Sequence, residues 1–297
     1  MSNLTDLHHR FCQHSLAFKG NTPRTIYWFQ TDFRMFLKFN PIEELDQLTK
    51  EVIEDWILYG KLERNWKPQT IKPRIQSMKL FLEWCVLQEY IEENPCKNIP
   101  IPKLPKLLPK HLTADQAHTL MDWVRNFPYD YKFDKFRSIA IIATFIYTGV
   151  RKAELENLKF EDIDIDNKML CVRQGKCSKD RIIPLHNNLI IHLEQYLKER
   201  KRLKKTCPYF FTSMRQDSRM GDKVINRLVS KIKTKSKIKF YPHLLRHTFA
   251  TLMLEGGCNL YSLSKMMGHS DIKTTTIYLG VTETHLKEQI TKHPLDS

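Results

Sequence analysis

The stretch that decides the fold of this chain is Tyr241-Pro242-His243-Leu244-Leu245-Arg246-His247-Thr248-Phe249-Ala250. Its pattern predicts one helix, on which His243 and Arg246, three residues apart, project from the same face. Residues 248–253 are largely apolar and favour helix, so they would anchor the two polar side chains rigidly. The glycine pair at 256 and 257 ends this helix.

A second, shorter helix is predicted for residues 260–267, where apolar residues recur at helical spacing. Gly268 follows as a C-cap, which makes His269 the first residue beyond the helix. Tyr278 comes nine residues later. We therefore expect two histidines, an arginine and a tyrosine to converge from short neighbouring elements.

Three segments of this region, HLLRH at 243–247, MMGHS at 266–270 and IYLG at 277–280, resemble the active-site half of the tyrosine recombinases, the family of phage integrases and Xer proteins. Upstream, TGVRKAEL at 148–155 is similar to the TGxRxxEL motif that carries the family's first arginine. GKCSKDRIIPL at 175–185 resembles its β-hairpin motif with a lysine. One such motif would be a weak signal, but all of them together, in the family's order over about half of the chain, are specific.

The resemblance implies a mainly α-helical protein of two domains that closes on DNA as a C-shaped clamp. Residues 1–97 would form a helical bundle of the SAM-like core-binding kind. Residues 112–297 would form an α+β catalytic domain of mostly helices with a small antiparallel β-sheet. Its C-terminal amphipathic helix, 281–293, would be the exchange helix that docks into a neighbouring subunit.

Between these domains, residues 98–111 contain four prolines that alternate with apolar residues and lysines. Such a segment cannot be helical and is expected to be extended and semi-rigid. Two interpretations stay open: a plain spacer, or a segment whose lysines follow the phosphate backbone of DNA. The lysines in question are Lys103, Lys106 and Lys110.

Hydrophobic periodicity predicts further helices at residues 3–17, 23–39, 48–62, 68–89, 136–147 and 188–204. The helix at 23–39 holds more aromatic residues than one face can bury, so some should pack against another element or subunit. Residues 113–116 have the pattern of a capping box that opens one more helix. Alternation predicts strands at 160–173 and 180–185, with a turn at 175–179 that puts Lys176 at a hairpin tip.

The reaction of a phosphodiester needs particular chemical groups, and the residues that match the family's motifs supply them. Arg151 and Arg246, permanently charged and with forked donors, would bind the non-bridging oxygens. Tyr278 would attack as the covalent nucleophile, and because tyrosine is mostly neutral at pH 7, His243 would accept its proton. Lys176 would protonate the leaving 5′ oxygen.

Further residues would support this reaction. The resemblance implies that His269 donates to a phosphate oxygen and that Glu154 positions or tunes the cluster. His247 stays open between a structural role beside the arginines and a contact with phosphate. The implied product is a 3′-phosphotyrosyl enzyme with a free 5′ hydroxyl, so neither a metal nor another cofactor is expected. DNA contacts are expected from Arg24, Lys103, Lys106, Lys110, Lys179 and Arg181.

The implied function is that of a site-specific DNA recombinase that works through a Holliday junction, in integration and excision or in dimer resolution. Its expected partners are double-stranded DNA with inverted-repeat sites and further copies of itself in a homotetramer, with a related recombinase as an optional partner. We expect the simple Xer-like architecture, without the additional arm-binding domain of longer phage integrases.

Three alternatives stay open at this point. A type IB topoisomerase uses the same chemistry, although the N-terminal helical domain and the C-terminal tail favour a recombinase. A catalytically inactive DNA-binding regulator would keep the basic surface but would not need all six catalytic candidates. A metalloprotein that uses His243, His247 and His269 is disfavoured because nearby carboxylate or thiolate ligands are scarce.

Composition agrees with a nucleic-acid-binding protein. A net charge of +15 and a pI near 9.4 produce a positive field that favours DNA or an anionic membrane surface as partner. Residues 1–107 hold 15 lysines and arginines against 13 acidic residues, so the rest of the chain carries +13 of this charge. The basic runs at 198–205 and 231–239 are either solvated helix ends or DNA contacts.

The cysteines and the apolar runs indicate the cellular setting. Seven widely spread cysteines without a CxxC pair argue against both a disulfide framework and a zinc site. The N-terminus lacks the pattern of a signal peptide, and no apolar run approaches the roughly 20 residues of a membrane span. We expect a reduced, cytoplasmic setting without contact to a membrane.

Overall fold

The structure, a computed structural model, describes residues 3–104, 109–173, 180–221, 223–269 and 271–278. The chain divides into two compact units, Met1–Lys106 and Leu107–Ser297, and the division falls inside the predicted linker. Each unit contains its own cluster of buried apolar side chains. No helix in the described part of the chain is long and apolar enough to cross a membrane.

The described residues of the first unit form the helices α1 (Leu4–Phe18), α2 (Pro23–Phe39), α3 (Lys50–Leu62) and α4 (Pro68–Leu87). These match the predicted helices to within a few residues. The side chains of Asn3, Thr22 and Thr49 accept backbone N–H groups of the following helix, which explains where α1, α2 and α3 begin. Helix α3 starts two residues later than predicted because Thr49 is its N-cap, and a separate 3₁₀ turn, Leu45–Gln47, precedes it.

Aromatic side chains dominate the core of the first unit. Phe36 and Trp56 meet edge to face with their ring centroids 5.3 Å apart. Tyr27 and Trp28 on α2 remain 60% and 53% exposed. The surplus of aromatic residues predicted for this helix therefore lies on its exposed side.

The central element of the second unit is α6 (Lys132–Thr148), whose side chains are buried almost without interruption from residue 137 to residue 148. It packs against α5 (Ala114–Asn126), α8 (Asn187–Arg202) and α10 (Pro242–Glu255). Helix α5 opens with the predicted capping box of Thr113 and Gln116. Since α10 packs on α6, the latter helix fixes where the motif of Arg151, which follows α6, meets the motif of Arg246, which lies on α10.

Shorter helices complete the second unit: α7 (Lys152–Asn157), α9 (Val224–Ser236), α11 (Leu260–Met267) and α12 (Lys273–Thr276). Helix α11 and its glycine C-cap were predicted, whereas α7, α9 and α12 were not. The basic run that begins at residue 231 lies partly on α9, whose Ile225, Val229 and Ile232 are buried.

The sheet is antiparallel with the order β1 (Ile163–Asp164), β2 (Met169–Val172) and β3 (Arg181–Pro184). The stretch predicted as strand at 160–173 contains β1 and β2 but is not continuous strand. Residues 160–162 form a 3₁₀ turn, and the side chain of Asp164 accepts the backbone N–H of Asn167 at 2.8 Å, which builds a turn between β1 and β2. The predicted turn at 175–179 lies outside the described residues.

Candidate active site

The turn between α6 and α7 carries the first arginine of the site. Gly149 ends α6 with φ at +60°, and a Cβ atom there would lie 2.4 Å from Cδ1 of Phe249, so backbone and packing both require glycine. Arg151 follows as the N-cap of α7. Its backbone N–H donates to Oε2 of Glu154 at 2.7 Å, and its Nη1 donates to Oε1 at 2.8 Å.

Glu154 also binds a second arginine. Arg181 donates from Nη1 and Nη2 to the two carboxylate oxygens of Glu154, at 3.0 and 2.7 Å. Burial alone would raise the pKa of Glu154, but the hydrogen bonds and charges of Arg181 and Arg151 outweigh it and lower this pKa to about 2. Glu154 is therefore ionised at neutral pH.

Arg246 on α10 connects the elements of the site and is only 2% exposed. Its Nη1 donates to the carbonyl oxygen of Gly149 and its Nη2 to that of Met267, both at 2.6 Å. It therefore joins α10 to the turn that carries Arg151 and to the end of α11. Burial, followed by the charge of Arg151, lowers the pKa of Arg246 to about 10, which still leaves it a cation at pH 7.

His269 lies directly after the left-handed Gly268 that ends α11. Its Nε2 is 3.1 Å from Nη2 of Arg246, and its Nδ1 is 2.8 Å from Oγ1 of Thr275. Because a guanidinium can only donate, Nε2 is the unprotonated nitrogen and Nδ1 carries the ring proton. Burial and the charges of Arg246 and Arg151 lower the pKa of His269 to about 4, so the ring is neutral at pH 7.

Tyr278 lies just after α12 and is 2% exposed. Its Oη is 2.7 Å from Nδ1 of His247. Burial raises the pKa of the Tyr278 phenol. Burial and the neighbouring His243 and Arg246 lower the pKa of His247 to about 4. At neutral pH the tyrosine is thus the donor of this hydrogen bond, and the uncharged His247 is the acceptor.

The structure puts a different histidine beside Tyr278 from the one that the sequence suggested. His243 was expected to accept the phenolic proton, but among the described side chains it is His247, one turn later on α10, that contacts the hydroxyl. His243 is exposed, and its ring centroid lies 4.5 Å from that of His247. Residues four apart share one face of a helix, so spacing alone could not choose between them.

The DNA-contact candidates divide into three groups. Arg24, Lys103 and Lys110 are exposed. Arg181 is 8% exposed and bound to Glu154, so the structure contradicts the expectation that it contacts DNA. One signal for this was available, because alternation along β3 places residue 181 on the same side as the buried Ile183. Lys106 and Lys179 lie outside the described residues, as does the catalytic candidate Lys176.

The charges of the site favour an anion. Arg151, Arg181 and Arg246 surround one carboxylate, that of Glu154, so the cluster carries an excess of positive charge while its histidines are neutral. Within the described ranges, no group of three or more His, Cys, Asp and Glu side chains could hold a metal ion.

Known proteins resemble this chain over most of its length. The phage integrase family matches residues 110–285. Tyrosine recombinase XerA of Pyrococcus horikoshii is 35% identical over 227 residues, which cover 74% of this chain and 75% of that protein. Tyrosine recombinase XerC of Thermodesulfovibrio yellowstonii is 31% identical over 298 residues, which cover 96% of this chain and 95% of the relative.

Solved structures share the fold. A crystal structure of XerA recombinase is 27% identical, with a TM-score of 0.54 and 98% of both chains covered. XerH recombinase bound to a palindromic difH substrate, in a post-cleavage complex, has a TM-score of 0.74 at 18% identity and covers 95% of this chain and 82% of its own. A λ integrase dimer bound to a COC′ core site has a TM-score of 0.73 at 18% identity, with 93% and 77% covered.

Proposed function

This chain belongs to the phage integrase family and is a tyrosine site-specific recombinase, and from this premise we propose that Tyr278 is its nucleophile. The enzyme breaks and rejoins DNA strands through a covalent 3′-phosphotyrosyl intermediate, and strand exchange passes through a Holliday junction. One observation carries the assignment. Arg246 binds the turn of Arg151 and the ring of His269, while the next residue, His247, binds the hydroxyl of Tyr278.

Phosphate binding is assigned to Arg151, Arg246 and His269. The ring of His269 is neutral and accepts from Arg246 in the structure, and the negative charge of a bound phosphate would raise its pKa so that Nε2 takes up a proton and donates to the phosphate. Three of the five N–H donors of Arg246 have partners among the described residues, which leaves two for a non-bridging oxygen. Arg151 keeps a partly exposed guanidinium that shares Glu154 with Arg181. Such preorganised cations stabilise the charge that develops on the phosphate in the transition state.

We assign the role of proton acceptor for the Tyr278 hydroxyl to His247 in place of His243. As Oη of Tyr278 forms its bond to phosphorus, the bond from phosphorus to the 5′ oxygen breaks. The phenolic proton passes to Nδ1 of His247, which already accepts it in a hydrogen bond. The leaving 5′ oxygen takes up a proton, and the resemblance of residues 175–185 to the family's hairpin motif assigns this donation to Lys176.

DNA is the macromolecular partner, and its finer recognition belongs to the proposal. We assign phosphate contacts along the duplex to Arg24, Lys103, Lys106, Lys110 and Lys179, with residues 1–97 as the core-binding domain, 98–111 as the linker and 112–297 as the catalytic domain. We further propose paired inverted-repeat sites and a homotetramer joined by residues 281–293. With DNA as substrate, the enzyme is expected to work in the cytoplasm.

The test is strand cleavage by Tyr278→Phe on a nicked duplex that carries a site selected for binding from random sequence. The variant loses only the nucleophilic oxygen, so it should bind DNA as wild type does and form no covalent adduct on a denaturing gel. Tyr241→Phe and Tyr261→Phe are matched controls, because both side chains are exposed and should be dispensable. A covalent band in Tyr278→Phe that disappears in one of the controls would move the nucleophile there.

A further inference from the structure

Arg181, the first residue of β3, is a buried cation that the reaction described so far does not use. It is 8% exposed, and three of its N–H groups have partners. Nη1 and Nη2 donate to the two oxygens of Glu154, and Nε donates to the carbonyl oxygen of Met266 at 2.7 Å. A side chain bound in this way has a fixed position and is not available to follow a phosphate backbone.

Arg181 helps to position Arg151, and it does so through Glu154. The carboxylate that Arg181 holds accepts the backbone N–H and Nη1 of Arg151, at 2.7 and 2.8 Å. Fork-to-fork pairing with a carboxylate fixes orientation as well as distance. Arg181, at the start of β3, therefore sets the plane of the Glu154 carboxylate. That plane in turn sets the direction of the Arg151 guanidinium.

The opposite side of Arg181 lies against the turn that precedes His269. Gly268 has φ at +64°, and a Cβ atom at this position would lie 2.8 Å from Cδ of Arg181. The hydrogen bond from Nε to Met266 holds the same turn. Arg181 therefore touches, with one rigid side chain, the supports of both Arg151 and His269.

We propose that Arg181 is a positioning residue for strand cleavage, which fixes Arg151 through Glu154 and fixes His269 through the turn at 266–268, without itself contacting DNA. The inference rests on the proposed use of Arg151 and His269 at the phosphate. Lysine could not replace Arg181, because an ammonium offers a point charge where the site uses two parallel donors and a third at Nε. Misplacement of catalytic groups by about 1 Å can cost on the order of 100-fold in rate.

The experiment compares Arg181→Lys with Arg137→Lys. Arg137 is a matched control because it is also a buried arginine, 8% exposed, that pairs with a carboxylate, that of Asp134, but it lies near the start of α6 and contacts none of the described residues of this cluster. Covalent adduct formation is measured at saturating protein, and the DNA affinity of Arg181→Gln, which removes the charge, is measured over a series of salt concentrations. Arg181→Lys should cleave on the order of 100-fold more slowly, Arg137→Lys should cleave as wild type does, and Arg181→Gln should bind DNA with unchanged affinity and an unchanged salt slope.

A second measurement tests whether Arg181 acts through Glu154. If it does, Glu154→Gln and Arg181→Lys should not add, and the double variant should cleave little more slowly than the slower single variant. Lysine keeps the positive charge, so the salt slope is tested with Arg181→Gln. Weaker DNA binding by Arg181→Gln, with a salt slope reduced by about one, would make Arg181 a phosphate contact and overturn the proposal. Wild-type cleavage by folded Arg181→Lys would overturn it as well. Failure of the wild-type enzyme to form an adduct would refute the proposed function and not this inference.

Discussion

Replacement of His247 by alanine should slow strand cleavage by about 100- to 10,000-fold without weakening DNA binding, because positioned general bases contribute rate factors of this size. In free energy this corresponds to about 3–5 kcal/mol of the activation barrier. The expectation rests on the 2.7 Å contact between Nδ1 of His247 and Oη of Tyr278.

The pKa values of the pair explain why the nucleophile stays protonated before DNA binds. Burial raises the pKa of Tyr278 above the ordinary value of 10, whereas that of His247 is about 4. Transfer of the proton from Tyr278 to His247 is therefore unfavourable in the free enzyme, because the phenol is a much weaker acid than a protonated imidazole at this position. The negative charge of a phosphate beside the site would raise the pKa of His247, so transfer becomes feasible only with DNA in place.

The assay is single-turnover cleavage of a nicked duplex at saturating protein, followed over pH. A base works only in its neutral form, so wild-type cleavage should fall as pH drops through the pKa of His247 in the bound complex. That acid limb should disappear in His247→Ala and persist in His243→Ala. Cleavage by His247→Ala at the wild-type rate or faster would show that the hydrogen bond merely holds Tyr278 at rest. Loss of the acid limb in His243→Ala instead would make His243 the base.

Three further predictions concern stability and assembly. Gly149→Ala should destabilise the second unit by about 2–4 kcal/mol in denaturant unfolding, because it adds left-handed backbone strain to a 2.4 Å clash. Gly257→Ala should cost only about 1 kcal/mol, because Gly257 has φ at +83° but no atom lies within 4 Å of the added Cβ. Ionised Glu154 should contribute about 3 kcal/mol of stability that is fully present above pH 4.5 and is lost as pH falls towards 2. Unfolding of Glu154→Gln should lack that part of the pH dependence. An unchanged pH dependence in this variant would contradict the pairing of Glu154 with Arg151 and Arg181. Deletion of residues 281–297 should preserve binding to single sites and some adduct formation, but it should abolish synapsis of two sites and recombination. Sizing of the protein–DNA complexes measures synapsis, and a strand-exchange assay measures recombination. A truncated protein that still recombines would show that these residues have no role in assembly.

Local signals in the sequence predicted most of the helices. Helix α2 begins at the predicted residue because Thr22 caps it and Pro23 occupies its first position. Helix α11 ends at Gly268 for an equally local reason, the left-handed C-cap. The break between β1 and β2 was missed although its signal was also local, in the hydrogen bond from Asn167 to Asp164.

The parts of the site that the sequence could not predict depend on contacts between distant residues. His247 faces Tyr278 only because the chain after α11 folds back onto α10, across 31 positions. Arg181 binds Glu154 across 27 positions and Met266 across 85, so its neighbourhood indicates that it lies on the buried side of β3 but not which groups it binds. Sequence patterns identified the chemical groups of the site, and tertiary packing decides which of them touch.

The most direct test of the account is to identify the residue that becomes bound to DNA. Wild-type protein trapped on a nicked duplex would be digested with nuclease and trypsin, and the peptide with a residual nucleotide would be sequenced by mass spectrometry. Trypsin separates the three tyrosines in question into peptides 240–246, 247–265 and 274–287, each with one tyrosine. The account predicts the nucleotide on peptide 274–287, at Tyr278. A nucleotide on peptide 240–246 or 247–265 would contradict it.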